Sequence, residues 1–428
     1  MLDIKFIKNN KEIVKQNIIN KFQEEKLVLV DEVIELYNNY CYIKQKGDEI
    51  RAYINKISTD IAKMVKQNNK DVEKDVEDLK KEVIDKKAEL EKLKIQEKTL
   101  LKEQNEKLCL IPNIIDKTVP IGKDSSQNVE IKKFLQPKEQ DFKIPYHIDI
   151  MERFNGIDLD SARKTSGNGF YYLSGDIANL HSAILNYARD FIIDRGFLYF
   201  IPPYMVRREI VEGVMSFSEM QNMMYKIEGE DLYLIGTSEH SMIGRYINTI
   251  LKEEELPIKN TSFSPCFRKE VGAHGIEERG VYRIHQFEKQ EMVVICKPED
   301  SMKYFFEILN ITVDFFVSLN IPVRTLECCS GDLADLKVKS IDIESWSPRQ
   351  KKYFEVGSCS NLGDAQARRL KIRIKGKEGK YFAHTLNNTL VAPPRMLISF
   401  LENNYNKDGS VTIPEPLQKY LRGKQKLI

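Results

Sequence analysis

Apolar residues recur at every third or fourth position over two long stretches in the first hundred residues of the chain. The first stretch covers residues 33–64, the second covers residues 72–100, and the polar segment KQNNKD separates them. Sustained spacing of this kind with charged flanks predicts two coiled-coil helices. The short break predicts that they fold back on each other as an antiparallel hairpin, about 50 Å long at about 1.5 Å per residue. The predicted seam comprises Val33, Leu36, Tyr40, Ile43, Gly47, Ile50, Ile54, Ile57, Ile61 and Met64, followed by Val72, Val76, Leu79, Val83, Lys86, Leu90, Leu93, Glu97 and Leu100.

The pattern changes on either side of this helical region. Residues 1–26 place Ile7, Val14 and Ile18 at near-helical spacing, which predicts one short amphipathic helix. After Leu108 the periodicity stops, and a connector rich in Pro, Asn and Ser marks a domain boundary. The chain is therefore divided into a helical arm over 1–107, a linker over 108–130 and a third region over 131–428.

The alternating pattern of residues 261–291 predicts a long β-hairpin. The alternating run TSFSPCFR leads into a Gly-punctuated loop, VGAHGIEERG, predicted as a mobile tip, and VYRIHQFEKQEMVVI returns as the second strand. Arg268 lies on the first strand and Arg283 on the second, where two guanidinium groups can clamp a phosphate chain bidentately. Phe287 shares a strand face with Arg283, so its ring can take a purine beside the clamp. An ordinary hairpin with solvated charges is the alternative.

Composition narrows the class of protein. The 428 residues are 42% hydrophobic, 30% charged and 9% aromatic, which is typical of a globular chain of two or three domains. A net charge of +2 gives no overall polyanion signal, so any nucleic-acid contact must come from a local patch. Without a long apolar run or a signal peptide, the chain is expected to be a soluble, cytoplasmic protein without membrane contact. The seven cysteines include no CxxC pair, so neither a disulfide framework nor a zinc site is expected.

Several motifs together resemble one enzyme family. The pattern FRKE…RGxxRxHQFxKxE in the predicted hairpin resembles motif 2 of the class II aminoacyl-tRNA synthetases, in the form seen in seryl-tRNA synthetase. The connector IPNxxxxxVPxGKDxxxNVE and the segment FEVGSCSNxxDxQARR are also similar to that family. RGFLYFIPPYMVR resembles motif 1, with Pro203 as its proline, and HTLNNTLVAPPRMLISFLEN resembles motif 3. The resemblance covers essentially the whole chain.

The resemblance implies a fold and a reaction. The expected fold is α+β, a class II catalytic domain with a mostly antiparallel sheet flanked by helices, preceded by the helical hairpin. The expected reaction joins serine and ATP to seryl-adenylate and transfers the seryl group to a serine tRNA, and to a selenocysteine tRNA where one is present. Motif 1 implies a homodimer.

The resemblance also implies an ATP site with two catalytic arginines, Arg268 and Arg395. Glu270 would receive the adenine amino group, and adenine would lie between Phe287 and Arg395. Glu355 and Ser358 would hold Mg²⁺, since a carboxylate, a hydroxyl and phosphate oxygens suit that ion. The residues expected to bind ATP are Arg268, Glu270, Arg283, Phe287, Glu355, Ser358 and Arg395.

A serine pocket is implied around the segment DLYLIGTSEH. Thr237 and Glu239 are expected near the substrate ammonium, and Glu291 and Thr389 around its hydroxyl, with Asn387 and Arg268 completing the set. A carboxylate facing an ammonium in a closed pocket is chemically reasonable. The alternative is an ordinary strand-to-helix turn, in which Thr237 or Ser238 caps the following helix.

The helical arm is expected, from the resemblance, to bind the long variable arm of serine tRNA. The outgoing helix is basic toward its tip, as phosphate contacts require, whereas the returning helix opens with five acids, so that any basic surface is one-sided. The expected tRNA contacts are Arg51, Lys56, Lys63, Lys66 and Lys70. A dimerisation coil or a spacer is the alternative for the arm.

Two other functions compete with the tRNA ligase. One is a paralogue that forms seryl-adenylate for a non-tRNA acceptor, and the other is a non-catalytic nucleic-acid-binding relative. Motif 3 departs from the family pattern at Ala392-Pro393-Pro394-Arg395, where a small residue commonly precedes the arginine, and Gly357 stands where serine is common. The two prolines are tolerable if Pro394 lies near the first helical turn.

Overall fold

The computed structural model describes residues 1–66, 73–270 and 280–428, except for the side chains of residues 66, 73 and 218. The chain divides into two compact units. The helical unit comprises Leu2–Ile19 and Gln23–Pro112. The sheet unit comprises Met1, Asn20–Phe22 and Asn113–Ile428.

The α-helices are α1 (Ile4–Asn9), α2 (Lys11–Asn20), α3 (Leu27–Lys66), α4 (Glu73–Leu108), α5 (His147–Arg153), α6 (Leu159–Ser166), α7 (Gly175–Ile193), α8 (Arg208–Val214), α9 (Phe217–Met223), α10 (Ser238–Gly244), α11 (Ser301–Ser318), α12 (Ala365–Leu370), α13 (Pro393–Asn404) and α14 (Glu415–Gln418). Among the described helices, none combines the length and the apolarity needed to cross a bilayer.

Helices α3 and α4 pack along one another in opposite directions. Tyr53 of α3 donates to Glu82 of α4, and Lys107 of α4 donates to Glu32 of α3. Residue numbers therefore rise along α4 in the direction in which they fall along α3. Every described residue of the predicted seam is buried or half-buried, and Ile54, Ile57, Val76 and Leu90 are buried apolar residues. The prediction of an antiparallel helical hairpin is confirmed for the described residues. Val72 lies outside them.

The prediction of a single helix over residues 1–26 is wrong, because the segment forms α1 and α2. The chain leaves the helical region at Asn10, with φ −131° and ψ 41°. The Phe6 carbonyl accepts from both the backbone N–H of Asn10, at 2.9 Å, and its side-chain amide, at 3.0 Å, so Asn10 caps the last turn of α1. The three predicted apolar residues, Ile7, Val14 and Ile18, are nevertheless fully buried.

The strands are β1 (Val129–Phe134), β2 (Ile157–Asp158), β3 (Tyr172–Leu173), β4 (Leu198–Phe200), β5 (Met205–Val206), β6 (Tyr233–Leu234), β7 (Ile250–Lys252), β8 (Ile258–Phe267), β9 (Gln286–Cys296), β10 (Val323–Glu327), β11 (Lys339–Ser347), β12 (Lys352–Asn361), β13 (Arg373–Gly376), β14 (Gly379–Phe382), β15 (His384–Val391), β16 (Val411–Thr412) and β17 (Lys426–Leu427). Eight of them form the main sheet in the order β1-β10-β11-β12-β15-β9-β8-β4. Every neighbouring pair in it is antiparallel except β4 and β8, so the predicted α+β fold with an antiparallel sheet is confirmed.

The two faces of the main sheet bury different side chains. On β9, the even-numbered residues 292, 294 and 296 join the large core that contains residues of α7, α11 and α13. Val293 and Ile295, on the opposite face, join a smaller apolar cluster with residues of α10 and α12. Because side chains alternate along a strand, the odd-numbered Lys289 and Glu291 continue this second face. The second face carries the polar site described below.

Strands β8 and β9 form the predicted hairpin, but its second strand starts later than predicted. Arg283 precedes β9, which begins at Gln286, so the expectation that Arg283 and Phe287 share a strand face is wrong. The predicted mobile tip covers residues 271–280, of which residues 271–279 lie outside the described residues.

Motif 3 accommodates its two prolines in the way that the sequence required. Pro393 and Pro394 are the first two residues of α13, whose N-cap is Ala392. The amides that proline lacks have no partner at this end of a helix, and the fixed φ of proline suits the first turn. Arg395 therefore projects from the first turn of a regular helix.

Candidate active site

A cavity of about 420 Å³ opens in the sheet unit and brings together residues that are far apart in the sequence. Its lining combines arginines, carboxylates and hydroxyls, as expected for a site that binds charged substrates. It includes all of the predicted ATP and serine residues except Arg283, namely Thr237, Glu239, Arg268, Glu270, Phe287, Glu291, Glu355, Ser358, Asn387, Thr389 and Arg395.

The two arginines predicted on the motif 2 hairpin have different surroundings. Arg268 is held at the end of β8, where its Nε donates to the Gly236 carbonyl at 3.1 Å and its guanidinium lies 5.4 Å from the centre of the Phe287 ring. Arg283 is half-exposed, and its Nη1 lies 3.6 Å from a carboxylate oxygen of Glu270. Arg268 is thus fixed inside the cavity, whereas Arg283 pairs with Glu270 across the base of the hairpin.

Arg395 lies against Glu355 and an aromatic ring that sequence reasoning missed. Its Nη1 contacts the Glu355 carboxylate at 3.0 Å and donates to the Glu355 carbonyl at 3.1 Å. Its guanidinium lies 4.5 Å from the centre of the Tyr282 ring. Tyr282 occupies one of the unspecified positions of motif 2, so the motif gave no signal for it.

A β-bulge explains how Glu355 and Ser358 reach the same cavity. Side chains three residues apart on a regular strand point to opposite faces. Between β11 and β12, however, Ile343 pairs with Gly357 and Glu344 with Glu355, which leaves Val356 as an extra residue. The extra residue restores both side chains to one face.

Asp342 is a further carboxylate at this end of the cavity. It lies on β11 directly opposite Ser358 of β12 and was not predicted as a site residue. Burial and the neighbouring charge of Glu355 raise the pKa of Asp342 to about 6. Carboxylate and hydroxyl oxygens of this kind suit Mg²⁺, so the donor set of Glu355 and Ser358 fits the predicted ion. The Cys328 sulfur and carboxylate oxygens of Asp332 and Asp342 also lie within 4.8 Å of one another.

Glu291 is the most heavily hydrogen-bonded carboxylate of the cavity. One oxygen accepts from the hydroxyls of Thr237 and Ser238 and from the backbone amide of Glu239, the last two at 3.2 and 3.4 Å. The other oxygen accepts from Lys289 Nζ at 2.8 Å and lies 3.4 Å from Asn387 Nδ2. Burial works to raise the pKa of Glu291, but the charge and hydrogen bond of Lys289, together with the hydrogen bond from Thr237 and the charge of Arg268, lower the pKa below its usual value.

Glu239 has a different environment. Its two oxygens accept from the side-chain amides of Gln366, at 2.7 Å, and of Asn387. Among the described residues it has no ion-pair partner. Burial and the neighbouring charge of Glu291 raise the pKa of Glu239 to about 7. Thr237 is also the N-cap of α10, so the turn that the sequence offered as an alternative is present and Thr237 contacts Glu291 as well.

The basic residues predicted on the arm are only partly available. Arg51 pairs with Asp48, and Lys63 Nζ lies 3.6 Å from Asp60, whereas Lys56 is exposed. The side chain of residue 66 and the whole of residue 70 lie outside the described residues. The outgoing helix α3 therefore presents less free positive charge than its sequence indicates.

The returning helix α4 carries three exposed lysines outside the seam that sequence reasoning missed. At about 100° per residue, Lys80, Lys87 and Lys98 lie within about 60° of Ile84, on a flank of α4 that adjoins the seam at Val83 and also carries Glu77 and Glu91. All three lysines are exposed and have no acidic partner within 4.0 Å among the described residues. Ile84 and Ile95, on the same face, are 65% and 68% exposed. We call Lys80, Ile84, Lys87, Ile95 and Lys98 the α4 face.

Comparisons with known proteins agree across the whole chain. The description "Seryl-tRNA synthetase N-terminal domain" matches residues 1–115, and "tRNA synthetase class II core domain (G, H, P, S and T)" matches residues 223–404. The serine–tRNA ligase of Methanocella arvoryzae is 38% identical over 429 residues, which cover 99% of each chain. The chain belongs to the seryl-tRNA synthetase family. The serine–tRNA ligase of Nitrosopumilus maritimus, 37% identical over the full length of both chains, is a further member.

Solved structures of family members have the same fold. Seryl-tRNA synthetase from Pyrococcus horikoshii, crystallised in complex with ATP, superposes with a TM-score of 0.92 at 36% identity and covers 100% of this chain and 99% of its own. The cytoplasmic serine–tRNA ligase of Naegleria fowleri, in complex with AMP, superposes with a TM-score of 0.87 at 32% identity and covers 100% of this chain and 98% of its own. The family expected from the sequence motifs is therefore confirmed.

Proposed function

We propose that the protein activates serine with ATP to form seryl-adenylate and transfers the seryl group to serine tRNA. The observation that carries the proposal is the cavity itself. It combines arginines suited to a polyphosphate, Arg268 and Arg395, with a buried carboxylate pair suited to an amino acid, Glu239 and Glu291. Family membership supports the same reaction, because the related proteins are serine–tRNA ligases.

The first step needs charge neutralisation more than proton transfer. The serine carboxylate attacks the α-phosphorus of ATP, the bond to pyrophosphate breaks, and pyrophosphate leaves. The attacking carboxylate is already ionised at neutral pH, so no general base is required. Arg268, held by the Gly236 carbonyl, would offset the charge that develops on the α-phosphate. Arg283 and Arg395 would hold the β- and γ-phosphates, and Glu270 the adenine amino group.

Glu355 and Ser358 would hold Mg²⁺ against the triphosphate, and Asp342 lies close enough in register to orient Ser358. When bound, the ion supplies positive charge to the phosphate oxygens. Arg395, paired with Glu355 in this structure, would exchange part of that contact for a phosphate. The Phe287 ring lies against the guanidinium of Arg268, and the Tyr282 ring lies against that of Arg395. Both rings offer apolar surface for the adenine.

The second step requires tRNA, and we propose that the helical arm, residues 1–107, binds it. Residues 108–130 would then be a linker, and residues 131–428 the catalytic region. Phosphate contacts by lysine supply much of the affinity of such complexes. The α4 face supplies exposed, unpaired lysines and is proposed as a contact surface beside Lys56 of α3. Serine tRNA, and selenocysteine tRNA where one is present, is the expected partner.

A symmetric homodimer is also proposed, through the motif 1 region. β4 is an edge strand of the main sheet, and Leu198 on β4, Ile201 directly after it and Met205 on β5 are 63%, 71% and 47% exposed. Contiguous exposed apolar side chains on a sheet edge mark an interaction surface. Sedimentation of a monomer at micromolar concentration would exclude the dimer. A cytoplasmic location stays a prediction.

Aminoacylation separates the proposed function from its closest competitor. Purified protein should attach labelled serine to serine tRNA with ATP and Mg²⁺, and should leave alanine tRNA uncharged. A protein that forms seryl-adenylate for a different acceptor would exchange pyrophosphate in the presence of serine but would not charge the tRNA. A non-catalytic relative would do neither.

A further inference from the structure

Among the residues that the structure describes, the cavity lining includes two buried glutamates, Glu239 and Glu291, and a buried lysine that pairs with only one of them. Lys289 is 5% exposed, and its Nζ lies 2.8 Å from Glu291. Residues 289 and 291 are two apart on β9, so the strand itself presents them to the same face. Glu239, also in the cavity, accepts hydrogen bonds from two neutral amides.

The amides hold Glu239 in a fixed place without neutralising it. Gln366 is fully buried on α12, and its own carbonyl oxygen accepts from the Thr385 hydroxyl at 2.6 Å. Its amide group is thereby oriented toward Glu239. A buried carboxylate with hydrogen bonds but no cation is unfavourable in its charged form. Among the described residues, Glu239 therefore has no ion-pair partner, and an amino-acid ammonium would supply one.

Glu291 is in the opposite situation, because its charge is already balanced. Its longest contacts are those from the Glu239 amide and from Asn387, both at 3.4 Å, and a substrate hydroxyl could replace one of them. Thr389 lies directly across from Glu291 in the β9–β15 register. Glu291 is thus placed to accept a hydrogen bond rather than to bind a cation.

We propose that Lys289 is the specificity-determining residue that decides which carboxylate receives which group of the substrate. It holds Glu291 charged and in position for the serine hydroxyl, and it leaves Glu239 for the serine ammonium. Lys289 acts through Glu291 and is a positioning residue, not a catalytic one. The proposal rests on the proposed function, because it assumes that serine is the amino acid bound.

Without Lys289, two carboxylates would compete for one ammonium. The ammonium could then pair with either of them, and the one left over would take up a proton, because two like charges in a dry pocket repel. The hydroxyl would lose its fixed acceptor. The kcat/KM for serine should therefore fall more than that for alanine, since alanine has no hydroxyl to recognise.

Pyrophosphate exchange with serine and with alanine tests the proposal in the variants Lys289→Met and Lys289→Gln. In Lys289→Met we expect kcat/KM for serine to fall about 100-fold and that for alanine to change by less than about fivefold, so that the selectivity ratio falls by more than tenfold. The KM for ATP should stay within about threefold. Lys289→Gln keeps a hydrogen-bond donor and should lose less selectivity.

Lys339→Met is the matched control, because it removes another buried lysine that pairs with a carboxylate, Glu327, outside the cavity. Its serine-to-alanine ratio should equal that of the unmodified protein. If serine and alanine exchange fall by the same factor in both Lys289 variants, Lys289 is a structural counter-charge and the proposal is wrong. Thermal unfolding identifies a variant that does not fold, in which case Lys289→Gln carries the test. Absence of serine-dependent exchange in the unmodified protein would instead contradict the proposed function.

Discussion

Thr389 on β15 and Glu291 on β9 lie directly opposite each other in the main sheet, and both line the cavity. Opposed residues on antiparallel strands bring their Cβ atoms to about 5 Å. A hydroxyl and a charged carboxylate therefore face the same small volume, fixed by backbone hydrogen bonds rather than by a loop. This pairing is a rigid basis for recognising a substrate hydroxyl.

The pairing predicts that Thr389 contributes to selectivity for serine. In Thr389→Val, kcat/KM for serine in pyrophosphate exchange should fall about 10- to 100-fold, because one polar contact to the hydroxyl is lost. Exchange with alanine should be nearly unchanged. Thr412→Val, on β16 outside the cavity, is the control. An equal loss for both amino acids would show that Thr389 does not contact the hydroxyl.

Serine binding should depend on pH through Glu239, whose pKa lies at about 7. The ammonium needs the ionised carboxylate, so a proton competes with serine below that pKa. Among the charged groups around Glu239, Glu291 raises its pKa, and Lys289 and Lys337 lower it. The KM for serine should rise about tenfold per pH unit below pH 7 and level off above pH 8. Glu239→Gln should weaken serine binding and flatten this profile, and a profile that keeps its shape would assign the titration to another group.

Glu355 should set the magnesium requirement of adenylate formation. Glu355→Gln removes a charged ligand, so exchange should fall about 100-fold and the Mg²⁺ concentration for half-maximal rate should rise. Glu344→Gln, which alters a carboxylate paired with Arg324 on the neighbouring strand, should leave that concentration unchanged. If both variants require the same Mg²⁺ concentration as the unmodified protein, Glu355 does not bind the ion.

Local patterns predicted the elements of this protein better than the details of its site. Spacing alone predicted the seam of α3 and α4 and the hairpin of β8 and β9. The family motifs predicted the site residues, almost all of which line one cavity. The break between α1 and α2 depends on the backbone conformation of one residue, Asn10, which periodicity does not encode.

The residues that sequence reasoning missed are those placed by long-range register. Asp342 joins the site only because β11 pairs with β12 at Ser358, and Gln366 only because α12 packs near Glu239. Lys289 had a local signal, since it has the same strand parity as Glu291. The α4 face was hidden because charge was counted along the sequence rather than around the helix.

The α4 face predicts where tRNA affinity lies on the arm. Substitution of Lys80, Lys87 and Lys98 by Glu should raise the KM for serine tRNA about 100-fold. The slope of the logarithm of tRNA affinity against the logarithm of salt concentration should become shallower by on the order of one per lysine. Serine-dependent pyrophosphate exchange should not change. Reversal of Lys56 and Lys63 on α3 is the comparison and should give the milder defect, since Lys63 lies beside Asp60. A larger defect from the α3 pair would return the contact surface to the outgoing helix.

The most direct test of the whole account is ATP–pyrophosphate exchange by the unmodified protein, measured with serine, alanine and threonine. The cavity predicts exchange with serine, on the order of 10⁴-fold lower kcat/KM with alanine, whose missing hydroxyl leaves polar groups unpaired, and roughly 10- to 200-fold lower with threonine because of its extra methyl group. Exchange with alanine as efficient as with serine would contradict the assignment of Glu291 and Thr389, and with it the proposed function.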